Sequence, residues 1–197
     1  MNKSKLKAKI KKYVSESNSV SFKTVELSEQ EIINASILLG ETLKSGNKIM
    51  ICGNGGSASD SSHLAAEFTN QFSDNISRHG LAAISLSSDS TFITAHSNDF
   101  SFETVFSRQI ESLGKENDVL LGITTSGKSK NILKALEQAN SMNIKTILLT
   151  GNNTILNKLA SITINIQSEN TQYIQESMLQ IEHLLISFVE EIICKSW

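Results

Sequence analysis

An α/β architecture, a doubly wound parallel sheet of five strands, follows from three features of this 197-residue sequence. Apolar strand-like runs at Lys48–Cys52, Leu81–Leu86, Asp118–Ile123, Lys145–Thr150 and Ser161–Ile166 alternate with segments of helical periodicity. Two of the strand-to-helix turns are rich in glycine and hydroxyl residues. No repeat, low-complexity segment or linker breaks the alternation. Such a pattern packs helices on both faces of a parallel sheet.

Lys3, Lys5, Lys7, Lys9, Lys11 and Lys12 surround Leu6, Ile10 and Val14 at helical spacing, which predicts a helix with one solvated face. Ser28-Glu29-Gln30-Glu31 is a capping box; Ile32, Ile33, Leu38, Leu39 and Leu43 follow, and Gly46 closes this second helix. Further helices are predicted at Ser57–Phe72, Glu103–Leu113, Ser129–Met142 and, briefly, Ile155–Ala160. The last helix, Tyr173–Lys195, is apolar on more than one face, as expected of a helix buried against another subunit. One domain is expected, with a helical segment over about 1–46, a sheet core over about 47–167 and a C-terminal helix over about 172–195.

Composition narrows the function classes. Hydrophobic residues at 39% and charged residues at 19% are ordinary for a globular chain, and a net charge of −2 argues against nucleic acid as a main ligand. The basic N-terminal cluster precedes no long apolar run, so no signal peptide and no membrane span are predicted. Two cysteines, Cys52 and Cys194, make no disulfide framework, and a cytoplasmic location is expected.

The chemistry sits first in two loops. Cys52-Gly53-Asn54-Gly55-Gly56-Ser57 runs from a strand into a helix, and its glycines let backbone N–H groups approach an anion at the positive helix end. Gly122-Ile123-Thr124-Thr125-Ser126-Gly127-Lys128-Ser129 does the same, with four hydroxyls around one turn. Neither has the spacing of a P-loop or of the dinucleotide fingerprint, so phosphate on a small molecule is the expected ligand. Glycine and serine also make tight turns that bind nothing. Two such loops at equivalent positions of repeated βα units favour the phosphate reading.

Beneath the first loop, His63 and Glu67 are four residues apart and share a helix face. Gln175 and His183 fall among apolar neighbours on the last helix, where a polar group needs a partner or a purpose. His79 and His96 receive no role and are placed in loops.

These residues reach a family. Cys52–Ser57, His63-Leu64-Ala65-Ala66-Glu67, Ser97-Asn98-Asp99, Gly122–Ser129 and Ile174-Gln175-Glu176 with His183 resemble the phosphoheptose isomerases of the sugar-isomerase (SIS) domain superfamily, in order and approximate spacing over nearly the whole chain. The resemblance implies a flavodoxin-like sheet, a homotetramer, and conversion of sedoheptulose 7-phosphate to D-glycero-D-manno-heptose 7-phosphate for bacterial surface heptose. It also implies that Asn54, Gly55, Gly56, Ser57, Asn98, Asp99, Thr124, Thr125, Ser126 and Ser129 contact the phosphorylated sugar, with Glu67 and Gln175 beside them. His63, Glu67, Gln175 and His183 would hold one zinc ion per active site, with Glu67 as catalytic base and His183 as acid. A carboxylate bound to metal is a weaker base, so the two roles of Glu67 compete.

Gln175 and His183 are separated by a helical rise of about 12 Å. Either they lean together or one comes from a neighbouring chain, and the over-apolar last helix fits the second option. Three positions depart from the family's pattern: Gln71 and Tyr173 stand where basic residues are usual, and Gly151-Asn152-Asn153 replaces a glycine run. Arginine binds phosphate bidentately and glutamine or tyrosine does not, so the departures bear on which sugar is bound. Two other readings belong to the same superfamily. Non-catalytic members that bind a replication initiator lack the catalytic pair, whereas Glu67 and His183 are both here. Isomerases of hexosamine or arabinose phosphates lack the Gln175/His183 pair and usually carry a further domain.

Overall fold

The computed structural model describes residues 3–151 and 158–194. The elements are α1 (Lys3–Lys44), β1 (Ile49–Gly53), α2 (Gly56–Thr69), β2 (Ala83–Ser85), α3 (Ser90–Asp99), α4 (Val105–Leu113), β3 (Val119–Thr124), α5 (Lys130–Ser141), β4 (Lys145–Gly151), β5 (Ile162–Ile166) and α6 (Thr171–Cys194). The strands form one parallel sheet in the order β2-β1-β3-β4-β5, the doubly wound flavodoxin-like arrangement. Its chain reverses direction across the sheet between β1 and β3, which places the β1–α2 and β3–α5 loops side by side. The expected helix over Ile155–Ala160 falls largely outside the described residues, as do Asn152 and Asn153.

Alternation along the strands divides the core into two layers. Ile49, Ile51, Val119, Leu121, Ile123, Ile147 and Leu149 pack with residues of α1, α2 and α6. Met50, Cys52, Leu120 and Leu148 point the other way, against α4 and α5. Each such side chain contributes about 1.5–3 kcal/mol relative to leaving it exposed, so the sheet is held firmly between its helical layers.

The two expected N-terminal helices run together as α1, and the junction is a kink at Ser28 (φ −124°, ψ 20°), the first residue of the capping box. Gly46, at φ +79°, ends α1 in the left-handed conformation that lets the Asn47 N–H return to the Thr42 carbonyl. Before Ser17, α1 has no buried face: Ile10 is 64% exposed and Val14 52%. The apolar stripe read from the sequence therefore has no cover among the described residues.

α3 was not expected, and His96 belongs to it rather than to a loop. Asp89 caps α3 by accepting the Phe92 N–H at 2.9 Å, and His96 is buried between the rings of Phe92 and Phe100. Only one residue of α3 is buried, so no apolar period marks it in the sequence.

Candidate active site

Both glycine and hydroxyl loops lie at the C-terminal ends of adjacent strands, the crevice where doubly wound sheets bind ligands. Gly55 sits at φ +57° as the residue before α2, a backbone conformation that favours glycine. Gly56 is approached so closely by α6 that an added Cβ would lie 3.1 Å from the Gln175 Oε1. Asn54 and Asn131 exchange amide hydrogen bonds of 2.9 and 2.8 Å, tying the first loop to α5. In the second loop the Thr124 and Ser129 hydroxyls are 3.2 Å apart, and Ser126 Oγ accepts the Lys128 N–H at 3.2 Å. Neither α2 nor α5 closes its first turn with a capping side chain, so the positive helix ends face the crevice. Thr125 is half-buried beside them. Asn98 and Asp99 end α3, exposed and hydrogen-bonded to each other at 2.9 Å.

α2 and α6 lie side by side, and their facing residues make the second half of the site. His63 Nε2 and His183 Nε2 are 3.1 Å apart, and Glu67 Oε1 is 3.7 Å from His63 Nε2. Phe72 packs its ring 5.4 Å from that of His183. Both imidazoles come from one chain, so the neighbouring-chain arrangement is not needed to bring them together. Gln175 does not lean toward His183. Its carboxamide accepts from Ser57 Oγ at 3.3 Å and donates to Asp60, at the N-terminal end of α2. Gln175 and His183 therefore meet α2 at different points, Gln175 at Ser57 and Asp60 and His183 at His63.

Two acidic residues of this region escaped the sequence reading. Asp60 lies one turn before His63, and Glu182 adjoins His183 with its side chain fully buried and neither carboxylate oxygen hydrogen-bonded. Burial raises the Asp60 carboxyl above its ordinary value, while the Gln175 hydrogen bond and His63 oppose the shift. Burial pushes Glu182 up to about 8, and the charge of Asp60 adds to the effect. The only signal in the sequence was an acid set among Ile181, Leu184 and Leu185.

The consequence for stability has a definite sign. Folded protein holds the Glu182 proton more tightly than the unfolded chain, where the group titrates near 4.5. The stabilising difference is present below about pH 4.5 and is lost as pH rises through about 8. Glu182→Gln is expected to flatten that decline and to gain on the order of 5 kcal/mol at pH 9, with little change at pH 5. Urea unfolding of both proteins at the two pH values checks it; a parallel decline in both would remove Glu182 as the source.

The sheet order, the paired loops and the helix layers are those of a SIS domain, and the SIS domain family model matches residues 12–151. Phosphoheptose isomerase of Aquifex aeolicus is 41% identical over 188 residues, 95% of this chain and 97% of that protein. That of Helicobacter pylori strain P12 is 46% identical over 163 residues, 82% of this chain and 84% of that protein. The solved phosphoheptose isomerase of Neisseria gonorrhoeae matches with a TM-score of 0.85 at 31% identity, covering 94% of this chain and 99% of that one. A phosphoheptose isomerase from Francisella tularensis matches with a TM-score of 0.87 at 34% identity, covering 93% and 97%. The chain belongs to the phosphoheptose isomerase family, a group of aldose–ketose isomerases.

Proposed function

We propose that this chain interconverts sedoheptulose 7-phosphate and D-glycero-D-manno-heptose 7-phosphate, in the cytoplasm, as a step of heptose biosynthesis. The observation that carries the reading is the meeting of His63, Glu67 and His183 on two adjacent helices, one of which starts at a phosphate-type loop. The Thr124–Ser129 loop and the start of α5 hold the phosphate, and Asn54 to Ser57 bind the sugar next to it. Asn98 and Asp99 at the end of α3 close on the same ligand. Glu67 removes the proton from C1 of the ketose while His183 protonates the oxygen at C2, giving an enediol. The proton then returns from Glu67 to C2 as His183 takes one from the oxygen at C1, leaving the aldehyde.

Zinc fits the donors in kind. Ligands about 2.1 Å from a tetrahedral ion stand roughly 3.4 Å from one another, and the Nε2–Nε2 distance of 3.1 Å and the Nε2–Oε1 distance of 3.7 Å bracket that value. Among the described residues no three His, Cys, Asp or Glu side chains form a complete cage, so Glu67 must turn toward the imidazoles to close it. His63, Glu67 and His183 would hold the ion, and Gln175 would join them only by leaving Ser57 and Asp60. When bound, zinc supplies polarisation of the substrate carbonyl.

A homotetramer is part of the proposal. Phe22, 78% exposed, continues the uncovered stripe of Ile10 and Val14 along α1, and Leu179 and Phe188 leave apolar area on α6. A cavity of about 380 Å³ between α1 and α6, lined by Ser21, Val25 and Leu184 among others, runs up to His183. Among the described residues no helix is long and apolar enough to cross a membrane.

The test is turnover of a panel of ketose phosphates with detection of the aldose product. Sedoheptulose 7-phosphate is expected to be the best substrate, and equal or better turnover of a six- or five-carbon ketose phosphate would reassign it. The paired change Thr124→Ala and Ser126→Ala removes hydrogen bonds made to the phosphate before and during reaction, so KM is expected to rise about tenfold or more with kcat little altered. An unchanged KM would place the phosphate elsewhere.

A further inference from the structure

We propose that Arg78 and Glu190 form a buried clamp that fixes the spacing of α2 and α6, and thereby act as positioning residues for His63, Glu67 and His183. The proposal rests on the functional reading of those three residues. Arg78 lies in the loop between α2 and β2, and Glu190 on α6; their side chains are 2% and 0% exposed. The Arg78 Nε–H donates to Glu190 Oε1 at 2.7 Å. Its Nη2 donates to the carbonyl of Glu67 at 2.7 Å, and its Nη1 to those of Phe68 at 2.8 Å and Asn70 at 3.2 Å. Glu190 in turn accepts the backbone N–H groups of Phe72 and Ser73, each at 3.1 Å.

These bonds have a direction. The last carbonyls of α2 lack partners within the helix, and one guanidinium supplies them while complementing the negative helix end. Glu190 follows His183 by two turns and so shares its face of α6. A continuous chain of short hydrogen bonds therefore runs from the backbone of Glu67 through Arg78 to the helix that carries His183. Desolvation makes a buried ion pair a poor source of net stability compared with apolar packing. What the fork adds is a fixed register between two helices whose reacting side chains stand 3.1–3.7 Å apart. A lysine ammonium has no planar fork and cannot serve Glu190 and three carbonyls together.

Arg78→Lys is therefore expected to lower kcat about 10- to 100-fold, as for an ångström-scale misplacement of catalytic groups. KM for the sugar phosphate should stay within about twofold, because the phosphate loops lie at the opposite end of α2 and on β3–α5. Independently of activity, the magnetisation transfer between the His63 and His183 ring protons, expected in the wild type at this distance, should be lost. Glu190→Gln keeps the side chain's shape and one acceptor, and serves as the second variant if Arg78→Lys does not fold. Leu136→Ala, a core change on the other face of the sheet, controls for lowered stability and should retain kcat at a temperature where it is folded.

Unchanged ring-to-ring transfer in a folded clamp variant overturns the proposal, and so does an equal loss of kcat in Leu136→Ala. Lost transfer with full kcat also overturns it, since the clamped geometry would then be irrelevant to the site. If the wild type turns over no sugar phosphate while the variant loses the ring contact, the clamp stands and the proposed reaction falls.

Discussion

Glu67→Gln is expected to lower kcat about 10²- to 10⁴-fold, the range for loss of a general base, with KM nearly unchanged. The substitution keeps length, shape and hydrogen-bonding capacity, so α2 and its contact with His63 should survive. What disappears is the basic carboxylate proposed to accept the proton from C1 and return it to C2. The side chain is 22% exposed, so it is not sealed from a ligand in solution. Because Glu67 is also a proposed zinc ligand, elemental analysis of the purified variant belongs with the kinetics. Zinc retained with kcat lost assigns the proton transfer to Glu67, whereas both lost together assigns it the metal. Activity above roughly a tenth of wild type would exclude Glu67 as the base, since even a weak general base contributes far more.

The sheet was legible because its strands are short apolar runs with turn residues between them, the near-continuous pattern that the buried strands β1, β3 and β4 carry. α2 and α5 were legible from the glycine and hydroxyl loops that start them, and the kink at Ser28 from its capping box. α3 was not, because a helix that buries only His96 carries no apolar period. In the site, His63 and Glu67 could be paired from their spacing, since four residues on a helix always share a face. That His63 meets His183 depends on α2 lying along α6, a contact between segments 120 residues apart that no local pattern encodes. The same holds for Arg78 and Glu190, which are 112 residues apart, and for Asp60 with Gln175, which are 115 apart. In the sequence these are a lone arginine in a loop and acids on helices, indistinguishable from solvated charges until the helices are placed.

Mixing His63→Ala protein with His183→Ala protein, under conditions that exchange subunits, is expected to restore no activity. Each variant alone should lose about 10²-fold or more, because each removes one of the two imidazoles that define the site. The sequence favoured the opposite outcome, on the ground that an over-apolar α6 packed against a neighbour could deliver its histidine to that neighbour's α2. The structure instead joins the two Nε2 atoms at 3.1 Å within one chain. A mixed oligomer would then contain only sites lacking one imidazole or the other, however its subunits are arranged. Mass measurement of the mixed species must first show exchange within an oligomer, and a monomer in solution would remove the assembly from the proposal. Recovery of activity in a verified mixed tetramer would mean that α6 is exchanged between subunits, since only that rearrangement sets an intact His183 against an intact His63 when each chain carries one defect.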